Sequence, residues 1–376
     1  MKYLFFFVHP SKFHVFRNTI NFLIKNGHQV KILITSKDVL EDLIKTEEWD
    51  YVNIFPEGRK IKFIHPYISA AINTIRTVYR ISKYTHDKYD LFITDDLLVV
   101  NGWYRKIPTI LFQDDDVTAV PESEILHYFT KYILTQEYSN MGKNSHKKIP
   151  MRSFKELGYL HPNKFKPCYS IVEKINPGKD RYFVLRLVSL KSTHDAGKNG
   201  LTDADVYRMI STLEKKGKVF ITSERRLGSA LEKYRLKVPV EKLAHILYYA
   251  DFLISDSQTM SAEAGVLGTP YIRYNDFVGR ISYLEDLEMN YILGFGIKTN
   301  NKDLLFNKIE FLLNHQNIKN DWKEKRKKML LEKTDLTDFM IWLFEGYPAS
   351  VDSVRNNPDS QDRFILHSYV ENKSND

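Results

Sequence analysis

The chain has almost no cysteine, Cys168 being the only one in 376 residues. An internal disulfide is thereby excluded, and a structural zinc site, which draws on several thiolates or histidines at set spacings, is not expected. Long apolar runs are also missing. Tyr3 to Val8 is strand-sized, far short of the roughly 20 residues that a membrane-spanning helix needs. Nor does this run serve as a secretory signal, because it ends at once in His9-Pro10-Ser11-Lys12, so it reads as a first strand in place and the protein is expected to be cytoplasmic. Charge of one sign does not dominate either: 55 basic residues are interleaved with 47 acidic ones, for a net +8. With no recognition motif beside it, that balance argues against nucleic acid as the partner. Phosphorylated sugars, or peripheral contact with the anionic inner face of a membrane, suit the same positive field.

What is present is a globular composition, 43% hydrophobic and 27% charged, in a chain long enough for two domains that each bury a core. In the first half, β-branched and aromatic runs alternate with helical stretches, the pattern of a parallel sheet covered by helices. Strands are predicted at Tyr3–Val8, Gln29–Ile34, Tyr51–Ile54, Leu91–Thr94 and Pro108–Phe112, with another near Tyr132–Leu134. Between the first two, Val15, Phe16, Ile20, Leu23 and Ile24 recur at helical spacing and Asn26-Gly27 supplies the stop, which completes a βαβ unit.

From Met151 to about Gly178 the pattern lapses among Gly158, Pro162, Pro167 and Pro177, a natural crossing between domains. The alternation then restarts, with strands predicted at Tyr182–Leu187, Lys218–Thr222, Phe252–Ser255, Pro270–Tyr274 and Tyr291–Phe295. The expected plan is an N-terminal Rossmann-like domain over 1–155, a linker over 156–180, and a C-terminal Rossmann-like domain over 181–345. The helical stretch from Lys319 to Phe344 is expected to bridge the junction, and the polar tail over 346–376 to be poorly ordered. Doubly wound domains place their functional surfaces at the carboxyl ends of their strands, so a cleft between two of them is the expected site.

The richest stretch runs from Phe252 to Pro270, where a strand ends at Ser255, a polar turn follows and a small-residue helix stops at Gly268. Such a turn offers unpaired backbone N–H groups and the positive end of a helix dipole, which suits a diphosphate. Ser257, Gln258, Thr259 and Met260 form that turn. Glu263, four residues after Thr259, lies one turn along the same face, roughly 6 Å on, where an acceptor for ribose hydroxyls is wanted. The same residues also serve as a simple helix cap and a solvated acid.

This stretch resembles the phosphate and ribose segment of GT-B proteins, particularly the Asp-Ser-Gly-Gly-x-x-x-Glu run of non-hydrolysing UDP-GlcNAc 2-epimerases. Asp256, Ser257 and Glu263 match it, while Gln258 and Thr259 replace both glycines. Further segments are His9-Pro10 with His14, Phe112-Gln-Asp-Asp-Asp116, Gly158-Tyr-Leu-His-Pro162 with Phe165, Arg186-Leu-Val-Ser189 with His194-Asp195, and Thr222-Ser-Glu224. Their joint order resembles the prokaryotic family catalogued as domain-of-unknown-function family 354, a GT-B relative, from Met1 to about residue 340. The resemblance implies a GT-B fold, α/β with two Rossmann-like doubly wound domains facing across a cleft. It also implies nucleotide-sugar chemistry with no tightly bound cofactor and no metal.

Placed on the predicted strands, these segments fall at carboxyl ends. His9 ends the first strand and His14 opens the first helix, where an imidazole is positioned as a base toward a sugar hydroxyl. Asp95 with Asp96, and Asp114, Asp115 and Asp116, follow neighbouring strands, and their crowding is expected to raise some of their pKa values. In the second domain Arg186 precedes a hydroxyl-rich loop with Ser189 and His194, a set suited to phosphate oxygens and to the charge on a leaving nucleotide, unless Arg186 simply pairs with a neighbouring acid. Ser223 and Glu224 end the next strand and are expected to flank the base.

Three functions follow. The first is a glycosyltransferase that moves sugar from a nucleoside diphosphate to a glycan or lipid-linked glycan hydroxyl during surface-glycan assembly. The second is a nucleotide-sugar 2-epimerase, because Asp95, the Gln113/Asp114 region, Glu122 or Glu124, and His194 fall in the order of that enzyme's catalytic groups. The third is a non-catalytic protein that binds nucleotides or glycans.

Overall fold

A computed structural model describes residues 1–36, 39–59, 66–189 and 200–366. The chain forms two compact units, Met1–Tyr159 with Thr334–Phe364, and Leu160–Lys333 with Ile365–Asp376.

The first unit holds a seven-stranded parallel sheet: β1 (Lys2–Phe7), β2 (Gln29–Ile34), β3 (Tyr51–Asn53), β4 (Leu91–Thr94), β5 (Thr109–Phe112), β6 (Tyr132–Gln136) and β7 (Lys148–Met151). Their order is β3-β2-β1-β4-β5-β6-β7, so the direction of winding reverses between β1 and β4. Side chains alternate across the sheet. Tyr3, Phe5 and Phe7 pack with Phe16 and Ile20 of the helix Pro10–Lys25 on one face, whereas Leu4 and Phe6 pack with Ile81 and Leu98 on the other. Gly158 lies against the helix Pro10–Lys25, where a Cβ would come within 3.1 Å of the Val15 carbonyl. Its own carbonyl accepts from Asn18 and Thr337.

The second unit holds a five-stranded parallel sheet: β8 (Tyr182–Leu187), β9 (Lys218–Ser223), β10 (Phe252–Ser255), β11 (Tyr271–Tyr274) and β12 (Gly294–Ile297). Its order, β12-β11-β10-β8-β9, reverses between β8 and β10, where Ser255 is in register with Arg186. The helix Gln258–Leu267 follows β10 and ends at Gly268, whose φ of 81° is left-handed and favours glycine.

Three expectations change. The expected bridge is two helices, Ile318–Leu330 in the second unit and Leu336–Glu345 in the first, where Phe339, Met340 and Leu343 complete the core. The tail from residue 346 is not featureless: Ala349–Asn356 is a helix that buries Val351 and Val354, three residues apart on one face, in that same core. The strand expected at Tyr291–Phe295 starts instead at Gly294, because Ile292, after the π-helix Asp286–Asn290, has a φ of 53° that is outside extended backbone.

Candidate functional site

In doubly wound sheets ligands bind beyond the carboxyl ends of the strands, where the winding reverses. Each unit has one such place.

In the second unit it is framed by the residues after β8 and β10. Asp256 is buried, yet its carboxylate accepts the Val188 N–H at 2.7 Å on one oxygen and the Leu201 N–H at 3.3 Å on the other. It thus ties Val188, just after β8, and Leu201 to the end of β10. Burial pushes the Asp256 carboxyl up to about 6, against the stabilising pull of the Val188 N–H and the Arg225 guanidinium.

The next residue, Ser257, caps the helix Gln258–Leu267 by accepting the Met260 N–H at 3.3 Å. The Ser257 N–H in turn donates to Ser255 at 2.8 Å, and Ser261 donates to the Ser257 carbonyl at 2.6 Å. The Ser257 hydroxyl and the Met260 N–H are therefore engaged in the cap. The N–H groups of Gln258 and Thr259, in the first turn, have no intrahelical acceptor. Both residues are half-buried, as is Glu263 one turn further along.

Arg186 meets the bland alternative raised from sequence, since it pairs with Glu224 and also donates to Thr222 at 3.2 Å. The second Glu224 oxygen accepts the Ser189 N–H at 3.4 Å, so Arg186, Ser189 and Glu224 form one group at the β8 and β9 ends. The Ser223 hydroxyl is taken up in its own turn, donating to the Arg225 carbonyl at 2.8 Å. His194 lies outside the described residues.

In the first unit the reversal lies between His9, after β1, and Asp95, after β4. His9 is the N-cap of the helix Pro10–Lys25, its Nδ1 accepting the Ser11 N–H at 3.2 Å. His14 does not open that helix; it is the fifth helical residue, and its ring lies 5.3 Å from that of Tyr159.

The acids divide into three kinds. Asp96 and Asp116 hold structure: Asp96 accepts from Arg59 and from the Leu97 N–H, both at 2.7 Å, and Asp116 accepts the Asn140 N–H at 2.7 Å. Asp114 is buried between two ammonium groups, Lys12 at 2.6 Å and Lys155. Burial alone raises its pKa, but the two lysines outweigh it and hold the carboxyl well below the usual carboxylate range.

Asp95 and Asp115 are the third kind. One Asp95 oxygen is buried without a hydrogen-bond partner among the described residues. Burial pushes this carboxyl up to about 7, aided by the charges of Asp96 and Asp114 and opposed by Lys12. Burial and the neighbouring Asp114 push Asp115 up to about 6. Two carboxyls that titrate near neutrality beside one that stays ionised are suited to general acid and base work.

Sequence reasoning missed Lys12 and Lys155. It also missed His127, fully buried, which bonds the Gln113 side chain at 2.5 Å, while the Gln113 amide donates to the Asp115 carbonyl at 2.8 Å. That chain of bonds fixes the backbone at Asp115. Glu122 is exposed, and Glu124 lies 3.9 Å from Lys143.

No family model and no curated protein matches the chain. Solved structures do resemble it. The UDP-GlcNAc 2-epimerase from Methanocaldococcus jannaschii aligns at a TM-score of 0.60 with 14% identity, over 87% of this chain and 99% of its own. The Neisseria meningitidis UDP-GlcNAc 2-epimerase bound to UDP-GlcNAc aligns at 0.57 with 15% identity, over 89% and 100%. MurG from Acinetobacter baumannii aligns at 0.58 with 13% identity, over 92% and 100%. The chain therefore has the α/β fold of the GT-B proteins, with two units each built on a parallel sheet.

Proposed function

We propose that this protein is a nucleotide-sugar-dependent glycosyltransferase, acting on a glycan or lipid-linked glycan hydroxyl in surface-glycan biosynthesis. The observation that carries the reading is the helix N-terminus at the reversal point of the second sheet, where Gln258 and Thr259 present N–H groups beside the clamp made by Asp256. An anion satisfies such donors without burying an unpaired charge. Glu263, one turn on, takes the two ribose hydroxyls, and Arg186, braced by Glu224, supplies positive charge as the diphosphate leaves. UDP is the first nucleotide to test, because a neighbour of the same fold holds UDP-GlcNAc. No tightly bound cofactor is needed.

In the first unit, Asp95 in its ionised form is the base toward the acceptor hydroxyl, with Asp115 as its partner acid and Asp114 held as a fixed charge by Lys12 and Lys155. The acceptor oxygen gives its proton to the carboxylate and forms the new bond to the anomeric carbon as the bond to the diphosphate oxygen breaks. The resemblance to domain-of-unknown-function family 354 rests on the sequence segments alone, with no family model matching the chain, and adds no defined reaction.

A second reading, a nucleotide-sugar 2-epimerase, is favoured by the same Asp95. A carboxyl near 7 is able to take a proton from a sugar carbon and to return one. Incubating the full chain with UDP-sugars, alone and with glycan acceptors, and following the products by NMR separates the two. Conversion of donor alone marks the epimerase, and conversion only with acceptor marks the transferase. Binding without turnover contradicts both and marks a nucleotide- or glycan-binding protein.

A further inference from the structure

Helices on one face of the first sheet carry large apolar side chains that point to solvent. On the helix Pro66–Ser82, Ile68, Ile72, Ile75 and Tyr79 recur at spacings of three and four, so they share one stripe, and Ile75 is 71% exposed. The helix Leu98–Arg105 packs beside it and adds Trp103 at 57% and Tyr104 at 74%. The helix Glu124–Phe129 packs beside that one and adds Ile125 at 67% and Tyr128 at 69%. Scattered exposed apolar residues need no explanation, but a surface contiguous over three helices does.

Charge decides what covers it. Neither Pro66–Ser82 nor Leu98–Arg105 contains a single acidic residue, in a chain with 47. The exposed lysines flanking them are Lys83, Lys106 and Lys131, and the acids nearby are Glu57, which is paired with Arg76 and Arg80, and Glu122 and Glu124 at the start of the third helix. Tyrosine and tryptophan, apolar rings with one polar edge, are the side chains that settle at the boundary between lipid headgroups and hydrocarbon.

A second copy of the chain is a poor fit, because a two-fold interface sets each patch against itself and brings these cations together. We propose that this face docks on an anionic lipid bilayer, with the aromatic and isoleucine side chains entering the headgroup region and the lysines facing lipid phosphates. The proposal stands whether or not the protein transfers sugar. If it does, docking brings the helix that begins three residues after Asp95 to the surface where a lipid-linked acceptor resides.

The test is co-sedimentation of the full chain with extruded vesicles of phosphatidylcholine alone or with 30% phosphatidylglycerol. The variants are Ile75→Glu with Trp103→Glu, and Lys83→Glu with Lys106→Glu. All four side chains are solvent-exposed or flanking, and an unchanged melting temperature checks that each variant folds. The wild type is expected to sediment with the anionic vesicles and to be released by salt, with both double variants binding about tenfold more weakly. Equal sedimentation of wild type and variants overturns the proposal, as does no sedimentation of the wild type. A dimer in analytical ultracentrifugation that the Ile75→Glu, Trp103→Glu variant dissolves overturns it in favour of a second copy.

Discussion

The Lys12 ammonium lies 2.6 Å from Asp114, and both side chains are buried at the carboxyl edge of the first sheet. Removing one partner of such a pair leaves the other charge stranded in a poorly solvated place. Lys12→Met is therefore expected to lower stability by about 3–5 kcal/mol. It also removes the charge that opposes protonation of Asp95, so the Asp95 carboxyl moves further up. Chemical denaturation of the variant checks the first statement and NMR titration of the Asp95 carboxyl checks the second.

Asp95 ties activity to pH. If its ionised form is the base, turnover rises with pH through about 7 and then levels. Asp95→Asn is expected to lower turnover by roughly 10²–10⁴-fold while leaving nucleotide affinity unchanged. Equal loss of both marks a folding defect.

The same residue affects stability with a defined sign. The folded-state pKa of Asp95, about 7, lies above that of the unfolded chain, so the folded protein binds the extra proton and the associated stability is present at acid pH. It is lost as pH rises through about 7. Asp95→Asn is expected to flatten this loss and to melt higher than wild type at pH 8, which thermal unfolding across pH 5–8 measures.

The C-terminal segment contributes to the first core. Val351 and Val354 are fully buried there, and burying a valine is worth about 1.5–3 kcal/mol. A chain ending at Glu345 is expected to lose several kcal/mol and to aggregate on expression. An unchanged denaturation midpoint contradicts the placement of this helix.

How much of this is legible in the sequence depends on range. Strands of a parallel sheet are buried on both faces, so Leu91–Thr94, Tyr182–Leu187 and Phe252–Ser255 stand out as apolar runs with the bounds the structure gives them. β7 does not, because Lys148 and Pro150 argue against a strand; an edge position tolerates both. The crowding of acids after β4 and β5 is readable too. Which of them stays ionised is not, because that depends on Lys12 and Lys155, at 102 and 41 positions from Asp114. Likewise the clamp at Asp256 involves N–H groups 68 and 55 residues earlier, and no local pattern announces it. The helix Ala349–Asn356 escapes notice because two valines are its only buried large apolar residues in an otherwise polar stretch.

The clamp itself predicts a selective loss. Asp256→Ala frees the Val188 and Leu201 N–H groups, and with Val188 the adjacent Ser189. Nucleotide affinity is expected to fall, with stability down by about 1–3 kcal/mol for the buried Leu201 donor left unpaired and less for the half-buried Val188. Hydrogen exchange at Val188 and Leu201 checks the cause, since only these positions need open faster.

The central claim is that the N–H groups of Gln258 and Thr259 hold a diphosphate and Glu263 the ribose. Calorimetry with UDP and with its 2′,3′-dideoxy analogue, on wild type and Glu263→Gln, tests it most directly. The substitution keeps the shape and replaces a charged acceptor by an amide, so UDP binding is expected to weaken by roughly 1–3 kcal/mol. Binding of the dideoxy compound, which has no ribose hydroxyls for the carboxylate to accept from, should be nearly the same in both proteins. An equal loss for the two ligands, or no UDP binding by the wild type, contradicts the account.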